Sequence, residues 1–149
     1  MIKYSKYEMI MKQSAVYESR YEYNITSSGD VADFMIKILE ADVRPEEHFF
    51  VLTTDSKGKI IGITETSIGD ICSSSAGARE VFRTAIVQNA SAIILVHNHP
   101  SGDVEPSGMD IKTTRKLVEA GNILGIKVLD HVIVGHGNFV SMKSEGYIA

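Results

Sequence analysis

The sequence predicts an α/β domain, and two observations carry that prediction. Apolar runs of strand length alternate with stretches whose apolar residues recur at helical spacing, in the order helix, hairpin, helix, strand, helix, strand. The unit from Ala92 to Val134 reads as strand, helix, strand, which implies a parallel crossover, right-handed by the usual rule. A chain of 149 residues with 44% hydrophobic content suits one compact folded domain.

Residues 1–26 are rich in Tyr and mixed polar residues without a clean helical period. They read as an extended N-terminal segment packing on the core, with the domain proper spanning 27–149. Ser27 followed three residues later by Asp30 has the form of a helix start. Val31, Phe34, Met35, Ile38 and Leu39 then recur at helical spacing to about Glu40. His48 to Thr54 reads as a strand, Asp55-Ser56-Lys57-Gly58 as a turn, and Lys59 to Thr66 as the hairpin partner. A Gly- and Ser-rich loop follows over 67–77, able to line a groove or to move. Arg79 to Asn89 has Val81, Phe82, Ala85 and Ile86 on one helical face. Ala92 to His97 is a buried strand, and Pro100 to Pro106 a loop. Ser107 caps a helix carrying Ile111, Leu117, Val118 and Leu124, with Gly125 as its stop. Ile126 to Val134 is a further strand. Phe139-Val140-Ser141 forms a short last one across the 136–138 turn.

Several classes are disfavoured at once. No run of eighteen apolar residues is present, so no membrane span is expected. The N-terminus lacks an apolar signal core, which points to the cytoplasm. Cys72 is the only cysteine, so it forms no internal disulfide and no Cys-rich zinc finger; it reads as an inert packed residue. A net charge of −4 argues weakly against a dedicated nucleic-acid binder.

The chemistry concentrates at His97-Asn98-His99. Side chains at i and i+2 of a strand share a face, so both imidazoles can reach one metal ion. Asp110 returns eleven residues later in the first turn of a helix, and Pro100, Gly102 and Pro106 shape the intervening loop. Two His and one Asp leave a fourth position open, as catalytic zinc sites do. Each residue also has an ordinary reading. A lone His is commonly a strand-end polar group, and a first-turn Asp is favoured by the helix dipole. The combination is what argues for a metal. Ser107 can cap the helix and still aim its own proton at an oxyanion. A general base is also needed, and spacing alone leaves Glu46, Glu47 and Glu65 as candidates. His131 beside Asp130 is a candidate for orienting a ligand. His48 and His136 read as structural or exposed.

His-x-His, seven residues, then Ser-x-x-Asp resembles the JAMM (JAB/MPN) metalloprotease signature. The stretches Glu47-His48-Phe49-Phe50-Val51, Arg79-Glu80-Val81-Phe82, Val96 to Asp103 and Gly125 to His131 look like the RadC branch of that family, and the likeness covers about 27–148. The resemblance implies a cytidine-deaminase-like fold, a mixed β-sheet flanked by helices. It implies Zn²⁺ held by His97, His99 and Asp110, with Glu47 as general base and Ser107 as oxyanion stabiliser. The implied function is hydrolysis of a peptide or isopeptide bond in a peptide or protein substrate. RadC proteins usually carry an N-terminal helix-hairpin-helix segment, for which this chain is too short. The insertions with which deubiquitinating relatives grip ubiquitin are not evident, so ubiquitin isopeptidase activity is not carried over.

Two rivals stand beside this reading. One is a repair- or recombination-associated role on or near DNA, as a metal-dependent nuclease or a binding module. The other is a non-haem iron centre, which two His and a carboxylate also describe. A nucleobase deaminase is disfavoured because the Pro-Cys-x-x-Cys element is missing. A homodimer is left open.

Overall fold

The computed structural model of the chain describes residues 25–68 and 77–149, together with residue 5. The expected N-terminal extended segment, most of the 67–77 loop and Cys72 lie outside the described residues.

In chain order the elements are helix α1 (Ser28–Leu39), a 3₁₀ turn (Ala41–Val43), β1 (His48–Thr54), β2 (Ile60–Ile68), α2 (Ala78–Val87), β3 (Ala92–Asn98), α3 (Gly108–Leu124), β4 (Lys127–Val134) and β5 (Phe139–Ser141). The strands form one mixed sheet in the order β2-β1-β3-β4-β5. Among the described residues only β3 and β4 run parallel, joined through α3 as the strand–helix–strand pattern requires. The other pairings are antiparallel.

All seven residues of β1 and of β3 are buried, because helices cover both faces of the sheet. Phe49, Val51, Ile93 and Leu95 pack with Val81, Phe82 and Ala85 of α2 and Leu117 of α3. Phe50, Leu52, Ile94 and Val96 pack on the opposite side with Val31, Phe34 and Met35 of α1. Odd-numbered residues of β1 and β3 thus face α2 and α3, and even-numbered ones face α1. That parity decides which side chains reach the site.

The boundaries differ from expectation in small, explicable ways. Strand β2 runs two residues past Thr66, its pairing with β1 interrupted at Phe49/Phe50 and Thr53/Thr54. Helix α2 stops at Val87, and two residues later Asn89 takes a left-handed φ of 54°, a conformation Asn tolerates. Glu40 does the same at 49° after α1, and the 3₁₀ turn, unforeseen in the sequence, follows it. In β4 the pairing passes from Val128 opposite Ile93 to Asp130 opposite Ile94, so Leu129 is an extra, bulged residue. Among the described residues no helix is long and apolar enough to cross a membrane.

Candidate metal centre

The two histidines stand at the carboxyl end of β3. The strand ends at Asn98, one residue short of His99, yet the His99 N–H still donates to the Val134 carbonyl at 2.9 Å. The extended path therefore continues, and the two rings meet with Nε2 atoms 2.9 Å apart.

Asp110 comes from the first turn of α3. Ser107 Oγ accepts from the Asp110 N–H at 3.0 Å, and the Ser107 N–H donates to Asp110 Oδ2 at 2.7 Å. This reciprocal capping box fixes the carboxylate as well as the helix start. Its Oδ1 lies 3.3 Å from His97 Nε2 and its Oδ2 3.3 Å from His99 Nε2. The loop between β3 and α3 turns at Gly102, with φ +83°, where any Cβ would sit 2.6 Å from the His136 ring. His136 in turn donates from Nε2 to the Pro100 carbonyl at 3.0 Å. His136 thus braces the loop rather than joining the cluster.

Glu47 reaches the cluster from the position just before β1, with Oε1 3.7 Å from His97 Nε2. Register explains why Glu47 is chosen over its neighbours. Phe49 pairs with His97 across the antiparallel β1–β3 ladder. Extended two residues beyond that last pair, the register would set Glu47 opposite His99, on the odd-numbered face. Glu46 is exposed and of the other parity. Glu65 pairs instead with Nδ1 of His48, an even-numbered residue that stacks on Phe50.

Asn98, between the two histidines, points the opposite way and is buried. Its Oδ1 accepts from the His48 N–H at 2.7 Å, and its Nδ2 donates to the Glu46 carbonyl at 3.0 Å. These are the two peptide groups that flank Glu47. One strand residue therefore anchors the backbone that carries the carboxylate. Sequence reasoning did not single out Asn98; its signal was a polar residue that strand alternation turns away from a polar site into the core.

Outer partners hold the rings of the two candidate ligands. His99 Nδ1 donates to the Asp103 carbonyl at 2.7 Å. His97 Nδ1 meets His131 Nε2 at 2.7 Å, and His131 Nδ1 meets Thr114 Oγ1 at 2.6 Å. His131 therefore touches a proposed ligand, whereas Asp130 does not. The Asp130 carboxylate instead accepts from the His131 and Lys143 N–H groups and from Ser141 Oγ, tying β4 to the turn after β5. Thr114 is the other contributor not read from the sequence; it lies one helical turn beyond Asp110.

Charge follows contact. Hydrogen bonding with Asp110 raises the His99 pKa above the usual histidine value, against the opposing effect of burial. Burial alone would raise the Asp110 carboxyl. Hydrogen bonds donated by His97 and His99 when their rings are protonated outweigh that and hold it well below the carboxylate range. Burial, then the neighbouring His97 charge, pushes His131 well below 6.5, so its ring is neutral at neutral pH.

One ligand atom each from Glu47, His97, His99 and Asp110 can be chosen so that all lie within 4.8 Å of one another. The His97 and His99 Nε2 atoms are 2.9 Å apart, and each lies 3.3 Å from a different oxygen of the Asp110 carboxylate. A tetrahedral centre with bonds of about 2.0 Å separates its ligands by about 3.3 Å. The donors present therefore fit a metal ion with two imidazoles and a carboxylate. Ser107 sits at the rim as the helix cap, exposed, with its own hydroxyl proton not used in that cap.

Comparison with known proteins agrees with this architecture. A family model described as "RadC-like JAB domain" matches residues 25–147. A UPF0758 protein of Caldanaerobacter subterraneus is 51% identical over 125 residues, which cover 84% of this chain and 53% of that protein. One from Syntrophomonas wolfei is 48% identical over 83% of this chain and 54% of its own length. A third, from Methanococcoides burtonii, is 51% identical over 70% of this chain and 45% of its own length. The chain thus spans about half the length of the curated relatives it matches, and their shared name states no activity.

Proposed function

We propose that this chain, which belongs to the RadC-like JAB domain family, is a zinc-dependent hydrolase that cleaves a peptide or isopeptide bond. The observation that carries the reading is the direction of the donors. The Asp103 carbonyl only accepts, so His99 Nδ1 holds a proton and a neutral His99 carries its lone pair on Nε2. That lone pair faces His97 Nε2 at 2.9 Å, with the Asp110 carboxylate 3.3 Å from each ring. Electron-pair donors converging in this way suit a metal cation among them, whose place a proton on His99 takes in its absence.

His97, His99 and Asp110 would hold the ion, in a donor set suited to zinc with a fourth position open. When bound, zinc lowers the pKa of a coordinated water toward about 7 and polarises a carbonyl. Glu47, 24% exposed, has its Oε1 3.7 Å from His97 Nε2. It serves as the base that takes a proton from the attacking water and returns it to the leaving amine. Ser107 Oγ–H stands at the helix start, ready to donate to the developing oxyanion. Asn98 keeps the Glu47 backbone in place. A base beside the cluster favours hydrolysis over the iron oxidation chemistry that the same ligands could serve.

The test is hydrolysis of a mixed peptide and isopeptide library by the zinc-loaded chain and by Glu47→Gln. The expected result is cleavage by the parent and a loss of about 10²–10⁴-fold in the variant, with zinc content unchanged. A variant that cleaves as well as the parent, or loses its zinc, contradicts the role given to Glu47.

A further inference from the structure

We infer that Thr114, acting through His131, sets the ring tautomer of His97 and so presents the His97 Nε2 lone pair to the metal; this rests on the zinc reading above. Three short contacts make a chain, Asp110 carbonyl to Thr114 Oγ1 at 2.6 Å, Thr114 Oγ1 to His131 Nδ1 at 2.6 Å, and His131 Nε2 to His97 Nδ1 at 2.7 Å. Thr114, His131 and His97 are each at most 1% exposed, so no bulk water competes.

The direction of every proton follows from one end. A backbone carbonyl only accepts, so the 2.6 Å contact to Asp110 holds the single hydroxyl proton of Thr114 in preference to the weaker acceptor Met142 Sδ at 3.4 Å. The Thr114 oxygen is then left as acceptor, and His131 Nδ1 must carry a proton. Neutral His131 consequently has its lone pair on Nε2 and accepts from His97 Nδ1–H. A neutral His97 is left with its lone pair on Nε2, facing Asp110 Oδ1 and His99. The reverse order would place two lone pairs 2.6 Å apart at the Asp110 carbonyl. Thr114 and His131 are positioning residues and touch no substrate. Asp110 joins both roles, its side chain among the ligands and its carbonyl at the end of the relay.

The test is ring-nitrogen NMR on the ¹⁵N-labelled, metal-free chain at about pH 8, above the ordinary histidine range. In the parent, His131 and His97 are expected as Nδ1–H tautomers. Thr114→Val removes the hydroxyl at similar volume; both rings should then turn to Nε2–H, and zinc affinity should fall about 10–100-fold. Thr114→Ser keeps the hydroxyl and should keep both parent tautomers and affinity. An Nε2–H tautomer at His131 in the parent, or unchanged tautomers in a folded Thr114→Val, overturns the inference. The parent spectrum alone decides should Thr114→Val not fold. A parent with wrong tautomers that still binds zinc leaves the zinc reading standing. A parent that takes up no zinc removes that reading and this inference with it.

Discussion

Asn98 shows how one residue serves a site it does not enter. Its amide is buried and grips the peptide groups on either side of Glu47. Asn98→Ala leaves the His48 N–H and the Glu46 carbonyl without that partner, and the expected cost is about 1–3 kcal/mol by urea unfolding. A change under about 0.5 kcal/mol, typical of an inconsequential surface site, would mean that water replaces the amide without loss. The residues of the candidate metal centre divide by whether local spacing can announce them. His97, His99 and Asp110 are legible because strand parity and a helix-cap signature are short-range patterns. Glu47 was reached only through family resemblance, since its place depends on the register of β1 against β3, fifty residues away. Thr114 and the inward turn of Asn98 depend on contacts that no local pattern encodes.

At the scale of the element, α3 does two things at once. Its capping box begins a helix and orients the proposed ligand Asp110, so Ser107→Ala should cost about 1 kcal/mol of stability and weaken zinc binding together. Zinc affinity unchanged in a destabilised variant would separate the cap from the ligand. Near its other end, Gly121 lies against the strand it feeds. A Cβ there would sit 2.4 Å from the Ile126 carbonyl and 3.2 Å from the Phe82 ring. Helix propensity favours Gly121→Ala by about 1 kcal/mol, whereas overpacking against a fixed backbone costs about 1–3. Packing should win, with a lowered melting temperature; a raised one would mean that α3 can shift outward freely. Most elements were legible because helices and buried strands differ in length and period. The β4 bulge at Leu129 was not, because an extra residue inside an apolar run leaves the run unchanged.

For the whole molecule, the mixed sheet with α1 on one face and α2 and α3 on the other brings strand ends and a helix start into one place. The metal-free protein should then record the site in its pH dependence. His131 has a lowered folded pKa, so its contribution is present above the unfolded value near 6.5 and is lost as pH falls below it. His99 has a raised one, so its contribution is present below about 6.5 and is lost as pH rises through the folded value. Stability should peak near pH 6.5 and fall on the acid side by up to about 1.4 kcal/mol per pH unit, a slope that His131→Gln removes. Thermal melts across that range check this, and an acid limb unaltered in the variant would contradict it.

The most direct test of the central claim is the zinc content of the purified chain, by elemental analysis after reconstitution and removal of free metal, beside His97→Ala. The account predicts about one zinc per chain in the parent and almost none in the variant. A parent that holds no zinc, or a variant that holds as much as the parent, would show that these converging side chains are not a metal centre.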